Sequence, residues 1–329
     1  MDDLTPPGDG GVAYFVDRQP RVADFEQAVI AGLRAPQKEI PAKFFYDEEG
    51  SHIFNRICET EEYYVTRTEI GLLSDRSDDI RRLAGPGAVV IEYGCGSAAK
   101  INLLLDALED PAEYAAIDIS PEHLRFVVED ISTRHPGLRV GGICADFTGD
   151  FELPSEAAAG GGAKLGFFPG STIGNQTPEE AGVFLGQVRE NVGDDGALLI
   201  GVDLKKDIGR LNRAYNDDAG HTADFNLNLL RRIERELDSE VDIDGFEHHA
   251  FYNEGEGRIE MHLRAKSAQR IRIGGETFRF SEGETIHTEN SYKYTVREFG
   301  ELSARAGFAA GATWTDADGL FSIHFLTAA

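Results

Sequence analysis

Between residues 87 and 204, five short apolar runs alternate with segments whose apolar residues recur at helical spacing, and this alternation constrains the fold most tightly. The runs are AVVIEYG (88–94), YAAIDIS (114–120), LRVGGICADF (138–147), KLGFFPGS (164–171) and GALLIGVDL (196–204). The helical segments are INLLLDALED, PEHLRFVVEDISTRHP and PEEAGVFLGQVRENV. Strands that follow one another in parallel need crossover helices, so the pattern predicts a parallel sheet with helices on both faces. Within this stretch only EAAAGGGAK (156–164) reads as a floppy surface insert.

The pattern changes after Leu204. TADFNLNLLRRIERELD (222–238) reads as one amphipathic helix with a Thr-x-x-Phe start. RIEMHLRAKSAQRIRI (258–273) alternates, with Ile259, Met261, Leu263 and Ala265 on one face and Glu260, His262, Arg264 and Lys266 on the other, as in a half-buried antiparallel strand. FRFSEGETIHTENSYKY reads as a further strand after the GGE turn, and GFAAGATWTDADGLFSIHFLTA as a strand–turn–strand hairpin. An antiparallel pair closing a parallel sheet is common in methyltransferase-type folds and less so in dehydrogenases.

Thirty-two Lys and Arg against 58 Asp and Glu give a net charge of −26. So acidic a surface repels phosphate backbones and anionic lipid, which argues against nucleic acid and membrane as partners. No run of 18 apolar residues is present, and MDDLTPPGDGG (1–11) reads as a flexible leader rather than a secretory signal. Cys58, Cys95 and Cys144 are scattered without CxxC spacing, which fits a reducing cytoplasm and argues against a disulfide framework or a zinc site. His248 and His249, as neighbours on an element, point to different sides and make a poor pair of metal ligands.

The first apolar run ends in Gly94-Cys95-Gly96 and passes directly into a helix. Glycines let backbone approach a ligand where a Cβ would collide, and such a turn serves a dinucleotide or a sulfonium nucleoside alike. Glu92 stands two residues before Gly94, at the carboxyl end of the strand. A carboxylate there disfavours a pyrophosphate and suits the cationic methionine end of S-adenosylmethionine. Asp118 ends the second strand, where an acid can hold both ribose hydroxyls of either cofactor. Asp146-Phe147 end the third, where a carboxylate and a ring can meet adenine. Three acids at successive strand ends, with no Lys or Arg in the turn, favour S-adenosylmethionine over NAD. Helix N-capping remains the alternative for Asp118 and Asp146.

Several other stretches are too particular to be scaffold: KFFYDEEGSHIFNRICETEEYYVTRTE (43–69), FPGSTIGN (168–175), DLKKDIGRLNRAYND (203–217), RIEMHLRA (258–265) and TENSYKY (288–294). With EYGCGSAAK they resemble the bacterial histidine Nα-methyltransferases of the ergothioneine pathway, from about residue 38 to the C-terminus. The resemblance implies an α/β fold: a Rossmann-like S-adenosylmethionine methyltransferase core with a closing antiparallel hairpin, plus a second α+β substrate-binding domain. The core would take residues 71–204 and 294–329, and the substrate domain 12–70 and 205–293. It further implies that Gly94, Lys100, Asp118, Asp146 and Phe147 bind S-adenosylmethionine. Tyr63, Asn175 and Tyr215 would hold the amino-acid backbone of L-histidine, and Glu289 and Ser291 its imidazole, with Met261 lining the pocket and Asn290 a further substrate-binding residue. Tyr46 would lie near the reacting amine. The glycine insert and Cys95 depart from the family pattern, and neither is expected to touch a ligand contact.

The activity so implied is S-adenosylmethionine-dependent trimethylation of the α-amine of L-histidine, by way of its mono- and dimethyl forms, to hercynine. It would be carried out by a cytoplasmic monomer without a metal. Methylation of another small amine, or an NAD-dependent oxidation, are the alternatives. Bottom-up, Glu289 suits an imidazole N–H, Ser291 shares its strand face, and the flexible thioether of Met261 suits a pocket wall.

Overall fold

The computed structural model describes residues 3–4, 11–18, 22–96, 98–149 and 151–329. The chain divides into two compact units, the first comprising Met1–Gln19, Val65–Lys205 and Lys293–Ala329, the second Pro20–Tyr64 and Lys206–Tyr292.

The first unit is built on one nine-stranded sheet. From one edge its strands are Asp3–Leu4, Tyr14–Asp17, Arg139–Cys144, Glu113–Asp118, Val89–Tyr93, Lys164–Phe168, Ala197–Asp203, Phe321–Ala328 and Phe308–Thr315. The five runs expected to be strands pair in parallel, and the closing hairpin joins antiparallel against Ala197–Asp203. Val89, Val90 and Ile91 are wholly buried, as in strands covered on both faces. The order reverses at Val89–Tyr93, which lies between Glu113–Asp118 and Lys164–Phe168. In open sheets of this kind ligands bind beyond the carboxyl ends of strands at such a switch point.

Helices Ala98–Ala107, Pro121–Arg134 and Pro178–Val192 follow their strands as expected. Pro178–Val192 opens on a reciprocal cap, in which the Thr177 side chain accepts from the Glu180 N–H and Glu180 reaches back to the Thr177 N–H.

Two expectations for this unit need correction. Residues 12–18 do not belong with the second unit. Tyr14–Asp17 pairs in parallel with Arg139–Cys144, and Gly141 and Gly142 make room for it: a Cβ on Gly141 would fall 2.0 Å from the Tyr14 ring. Helical residues 65–70 also fall in the first unit. The glycine insert is not floppy either. Ala157 is buried, the Ala158 N–H donates to Glu113 at 2.8 Å, and a Cβ on Gly162 would fall 1.8 Å from the Gly87 carbonyl oxygen. Of the leader, residues 1–2 and 5–10 lie outside the described residues, and Asp3–Leu4 form a strand against Val16–Asp17.

The second unit carries two smaller sheets. One orders its strands Phe246–Asn253, Arg258–Ala265, Thr285–Tyr292 and Lys38–Glu39, and the other Glu276–Phe280, Gln269–Ile273 and Ser239–Val241. The runs read as single strands at 258–273 and 278–294 are therefore each broken, with their halves in different sheets. Lys266, Ser267 and Ala268 interrupt the first, and the second turns at Ser281–Glu284, where the Glu284 N–H donates to the Ser281 carbonyl.

Helix His221–Glu236 opens at Gly220 rather than on a threonine cap: the Asp217 carboxylate accepts from the N–H groups of His221 and Thr222 at 2.8 Å each. This helix braces helix Glu48–Glu59 through Asp47, which caps the latter and also accepts from Asn228 at 2.9 Å and Arg235 at 2.5 Å. Phe45 stacks on Phe225 with ring centroids 4.5 Å apart.

Candidate active site

In the first unit the glycine turn follows the strand whose last residues are Glu92 and Tyr93. Gly94 has φ +80°, a conformation side chains disfavour, and a Cβ there would meet only the edge of the Phe147 ring at 3.7 Å. Phe147 itself packs into a cluster with Tyr93, Phe168 and Phe184.

Asp118 accepts from the Ser120 N–H at 2.9 Å and from the thiol and N–H of Cys95. Burial raises its carboxyl above the usual range. Cys95 therefore does touch an expected cofactor residue, a correction to the reading of the turn. Asp146 accepts from the N–H and hydroxyl of Thr148, so both acids make local turn-closing bonds of the kind that capping alone would give. The turn is braced from below by His123, whose Nε2 lies 2.7 Å from the Cys95 carbonyl oxygen and 2.9 Å from that of Gly96.

Glu92 differs from its expected state. It is 1% exposed and accepts from the Tyr114 hydroxyl at 2.5 Å, and burial pushes its carboxyl up to about 8. Free of ligand it is largely a neutral acid at pH 7, not a standing anion. The neighbouring buried carboxylate is Glu69. It is 1% exposed, pairs with Lys100 Nζ at 2.5 Å, and accepts from the Gly170 N–H with both oxygens at 3.0 and 2.9 Å. Glu69 thus joins the helix after the glycine turn to the loop that leads into Thr172–Asn175, where half-buried Asn175 sits. It closes the stretch 43–69, yet nothing in its spacing assigned it a role.

In the second unit the structure brings Tyr46, Tyr63, Tyr215, Met261, Glu289 and Ser291 together. Met261 stands opposite Glu289 in the strand register, and Ile259 opposite Ser291, so all four share a sheet face. The Tyr215 hydroxyl donates to Ser291 Oγ at 2.8 Å, and its ring meets Tyr63 edge-on at 6.3 Å. Tyr63 is buried, and burial, with Tyr215, Cys58, Tyr46 and Glu289 as electrostatic neighbours, raises its phenol well above the ordinary value. It is a neutral donor at any working pH. Tyr46 meets Phe54 and Phe225 edge-on at 5.7 Å each.

Asn290 does not join this group. It stands opposite Glu260, on the other face of the sheet, because successive strand residues alternate. The polar face read from alternation is also less open than expected, since Glu260 and His262 are each 7% exposed.

His248 and His249 do point to opposite faces. His248 is half-buried and fully engaged: Asn226 donates to its Nδ1, and its Nε2–H donates to the Tyr215 carbonyl, each at 2.9 Å. That bond holds the segment bearing the Tyr215 ring. Asn226, wholly buried, also donates to the His262 carbonyl and accepts from Thr288, so one helical amide ties three strands. Neither residue was singled out for this role, because the contacts cross 22 to 62 residues of sequence.

A family model described as histidine-specific methyltransferase, SAM-dependent, matches residues 25–328. A histidine N-alpha-methyltransferase of Mycolicibacterium smegmatis is 40% identical over 300 residues, covering 90% of this chain and 92% of that protein. One from Mycobacterium tuberculosis is 38% identical with the same coverage. Ergothioneine biosynthesis protein 1 of Neurospora crassa is 30% identical over 84% of this chain, which spans 32% of that longer protein.

Proposed function

Since this chain belongs to the histidine-specific, S-adenosylmethionine-dependent methyltransferase family, we propose that it methylates the α-amine of free L-histidine three times, giving hercynine for ergothioneine synthesis. The observation that carries the substrate assignment is the second unit's sheet face, where Glu289 stands beside Met261 and Ser291 is bonded to Tyr215. A carboxylate and a hydroxyl on one face match the two ring nitrogens of an imidazole, whereas an apolar side chain offers neither of them a hydrogen-bonding partner.

The first unit would hold the cofactor and the second the amino acid. The glycine turn fits S-adenosylmethionine: the space beside Gly94 is bounded only by the Phe147 edge, and the donor set around it is acidic apart from Lys100, which Glu69 neutralises. Asp118 would take the ribose hydroxyls, and Asp146 and Phe147 the adenine. When bound, the cofactor supplies an electrophilic methyl on a sulfonium.

The protein's own share is alignment, worth roughly 7–11 kcal/mol when the geometry is right. Tyr63 and Tyr215, as neutral phenols, would hold the amino-acid carboxylate and orient the amine. Glu289 and Ser291 would fix the ring at the other end. An α-amine has a pKa of about 8 and must be neutral to attack; a dry, cationic setting lowers that value, with Tyr46 assisting by a hydrogen bond. Aromatic faces such as Tyr46 and Tyr63 tolerate the fixed cation of the product.

Calorimetry with S-adenosylhomocysteine and with NAD tests the cofactor half. Saturable binding of the first and none of the second is expected, and the reverse overturns the reading.

A further inference from the structure

Strand Thr285–Tyr292 carries one residue more than its partner Arg258–Ala265 can match. Met261 stands opposite Glu289 and His262 opposite His287, so Thr288, between them, is the extra residue. A bulge of this kind bends its strand and re-aims the side chains beside it. Here it lets Ile286, opposite Leu263, and Glu289, opposite Met261, share one sheet face although they are three residues apart. We propose that Asn226 and Thr288 are positioning residues for substrate selection: they pin the bulge at Thr288 and so hold Glu289 on the face that carries Met261 and Ser291. This role rests on Glu289 being the partner of the imidazole.

The pin is a closed set of hydrogen bonds. Thr288 is 2% exposed and Asn226 wholly buried. The Thr288 hydroxyl donates to Asn226 Oδ1 at 2.8 Å and lies 3.0 Å from the Met261 carbonyl oxygen. The Asn226 amide nitrogen donates to the His262 carbonyl and to His248 Nδ1, each at 2.9 Å. The two carbonyls that flank the register shift, those of Met261 and His262, thus each meet one of these side chains. Both donor hydrogens and the acceptor of a buried amide are in use, and leaving any of them unmade is costly. Because Asn226 belongs to helix His221–Glu236, the bulge is fixed from outside the sheet.

The alternative register shows what the pin prevents. Were the extra residue to lie one step beyond Glu289, Thr288 would stand opposite Met261 and Glu289 opposite Glu260. A slip of that kind turns a side chain to the other face. Glu289 would then confront a second carboxylate, an unfavourable pairing, and Met261 and Ser291 would lose the acid beside them. Both placements leave His287 and Ser291 where they are, so strand pairing alone does not choose between them. The side-chain bonds do: bringing Thr288 into line with Met261 moves it along the strand by roughly 1–2 Å, too far for these bonds to survive.

The same amide reaches the amino-acid end of the proposed site through His248, whose Nε2–H donates to the Tyr215 carbonyl at 2.9 Å. One helical side chain therefore fixes Tyr215 and Glu289 relative to each other.

Methionine occurs only at positions 1 and 261, so a methyl-labelled methionine reports Met261 directly. In deuterated full-length protein with protonated Met and Glu, the Met261 methyl should show an NMR cross-relaxation contact to Glu289, identified by its loss in Glu289→Gln. Thr288→Val and Asn226→Leu should lose the contact, and Thr288→Ser, which keeps the hydroxyl, should retain it. Should Asn226→Leu fail to fold, Thr288→Val decides. In steady-state kinetics Thr288→Val should raise the histidine KM about tenfold, as for one lost buried hydrogen bond, with S-adenosylhomocysteine affinity unchanged. In a Glu289→Ala background the same change should add less than about twofold, because its effect passes through Glu289. A contact that persists in both variants, or KM effects that multiply in the double variant, overturns the pin. Histidine left unbound by the unaltered protein overturns the substrate reading and with it the role in selection, whereas the NMR contact, which needs no substrate, still decides whether the bulge is pinned.

Discussion

The buried pair of Glu69 and Lys100 offers the sharpest test of how the first unit is held. Lys100 is 7% exposed, so Glu69→Gln leaves a buried ammonium facing an amide, while the Gln oxygen still accepts from Gly170. Breaking a buried pair by removing one charge costs about 3–5 kcal/mol, because the other charge stays buried and uncompensated. Glu69→Gln should therefore cost that much. Lys100→Met should cost less, about 2–3 kcal/mol, since the Gly170 N–H still serves the carboxylate. The double variant Glu69→Gln/Lys100→Met holds no buried charge and should cost only about 1–2 kcal/mol, giving a coupling of several kcal/mol. Trp314, the only tryptophan, lies in the first unit, so its fluorescence in urea reports that unit's unfolding. Costs that simply add, or a Glu69→Gln loss below about 1 kcal/mol, would refute the reasoning.

Further outcomes are expected. Gly201→Ala should destabilise by about 1–3 kcal/mol, since its Cβ would fall 2.0 Å from Glu69 Oε1, in a carboxylate already held by Lys100 and the Gly170 N–H; urea titration checks this. His324 is buried and its imidazole is pushed down to about 4, so the unfolded chain binds more protons between pH 6.5 and 4. Stability should fall by roughly 3 kcal/mol across that window as pH drops, and His324→Leu should flatten the slope. Glu92 works in the opposite sense. Its raised carboxyl favours the fold below pH 4.5, and that contribution is lost as pH rises through about 8. A cationic cofactor beside it should expel the proton, so calorimetry of S-adenosylmethionine binding in two buffers at pH 7 should show proton release that Glu92→Gln abolishes. Tyr215→Phe removes the hydroxyl bonded to Ser291 and should raise the histidine KM about tenfold, at about 1.4 kcal/mol, with little change in cofactor affinity.

The parallel core was legible because its strands are continuous apolar runs separated by strongly periodic helices. The short strand Tyr14–Asp17 was not, because four residues after a polar leader carry no periodic signal, and its place is dictated by the paired glycines 141 and 142 far along the chain. The runs 258–273 and 278–294 read as single strands because alternation does not reveal which sheet each half joins. Positions fixed by local motif, such as the Gly94 turn and Asp118 at its strand end, are legible from spacing. Those acting through long-range pairing are not: Glu69 meets Gly170 from 101 residues away, and His248 meets Tyr215 from 33. Asn290 was grouped with its neighbours in sequence, and the two-residue strand period separates it from them.

The central claim is that the second unit's sheet face selects histidine for methylation. Mass spectrometry after incubating the protein with S-adenosylmethionine and the twenty common amino acids tests it most directly. Histidine alone should gain methyl groups, up to three, all on the α-nitrogen. Methylation of a different amino acid, or histidine left unmodified or carrying its methyl on the ring, would contradict the account.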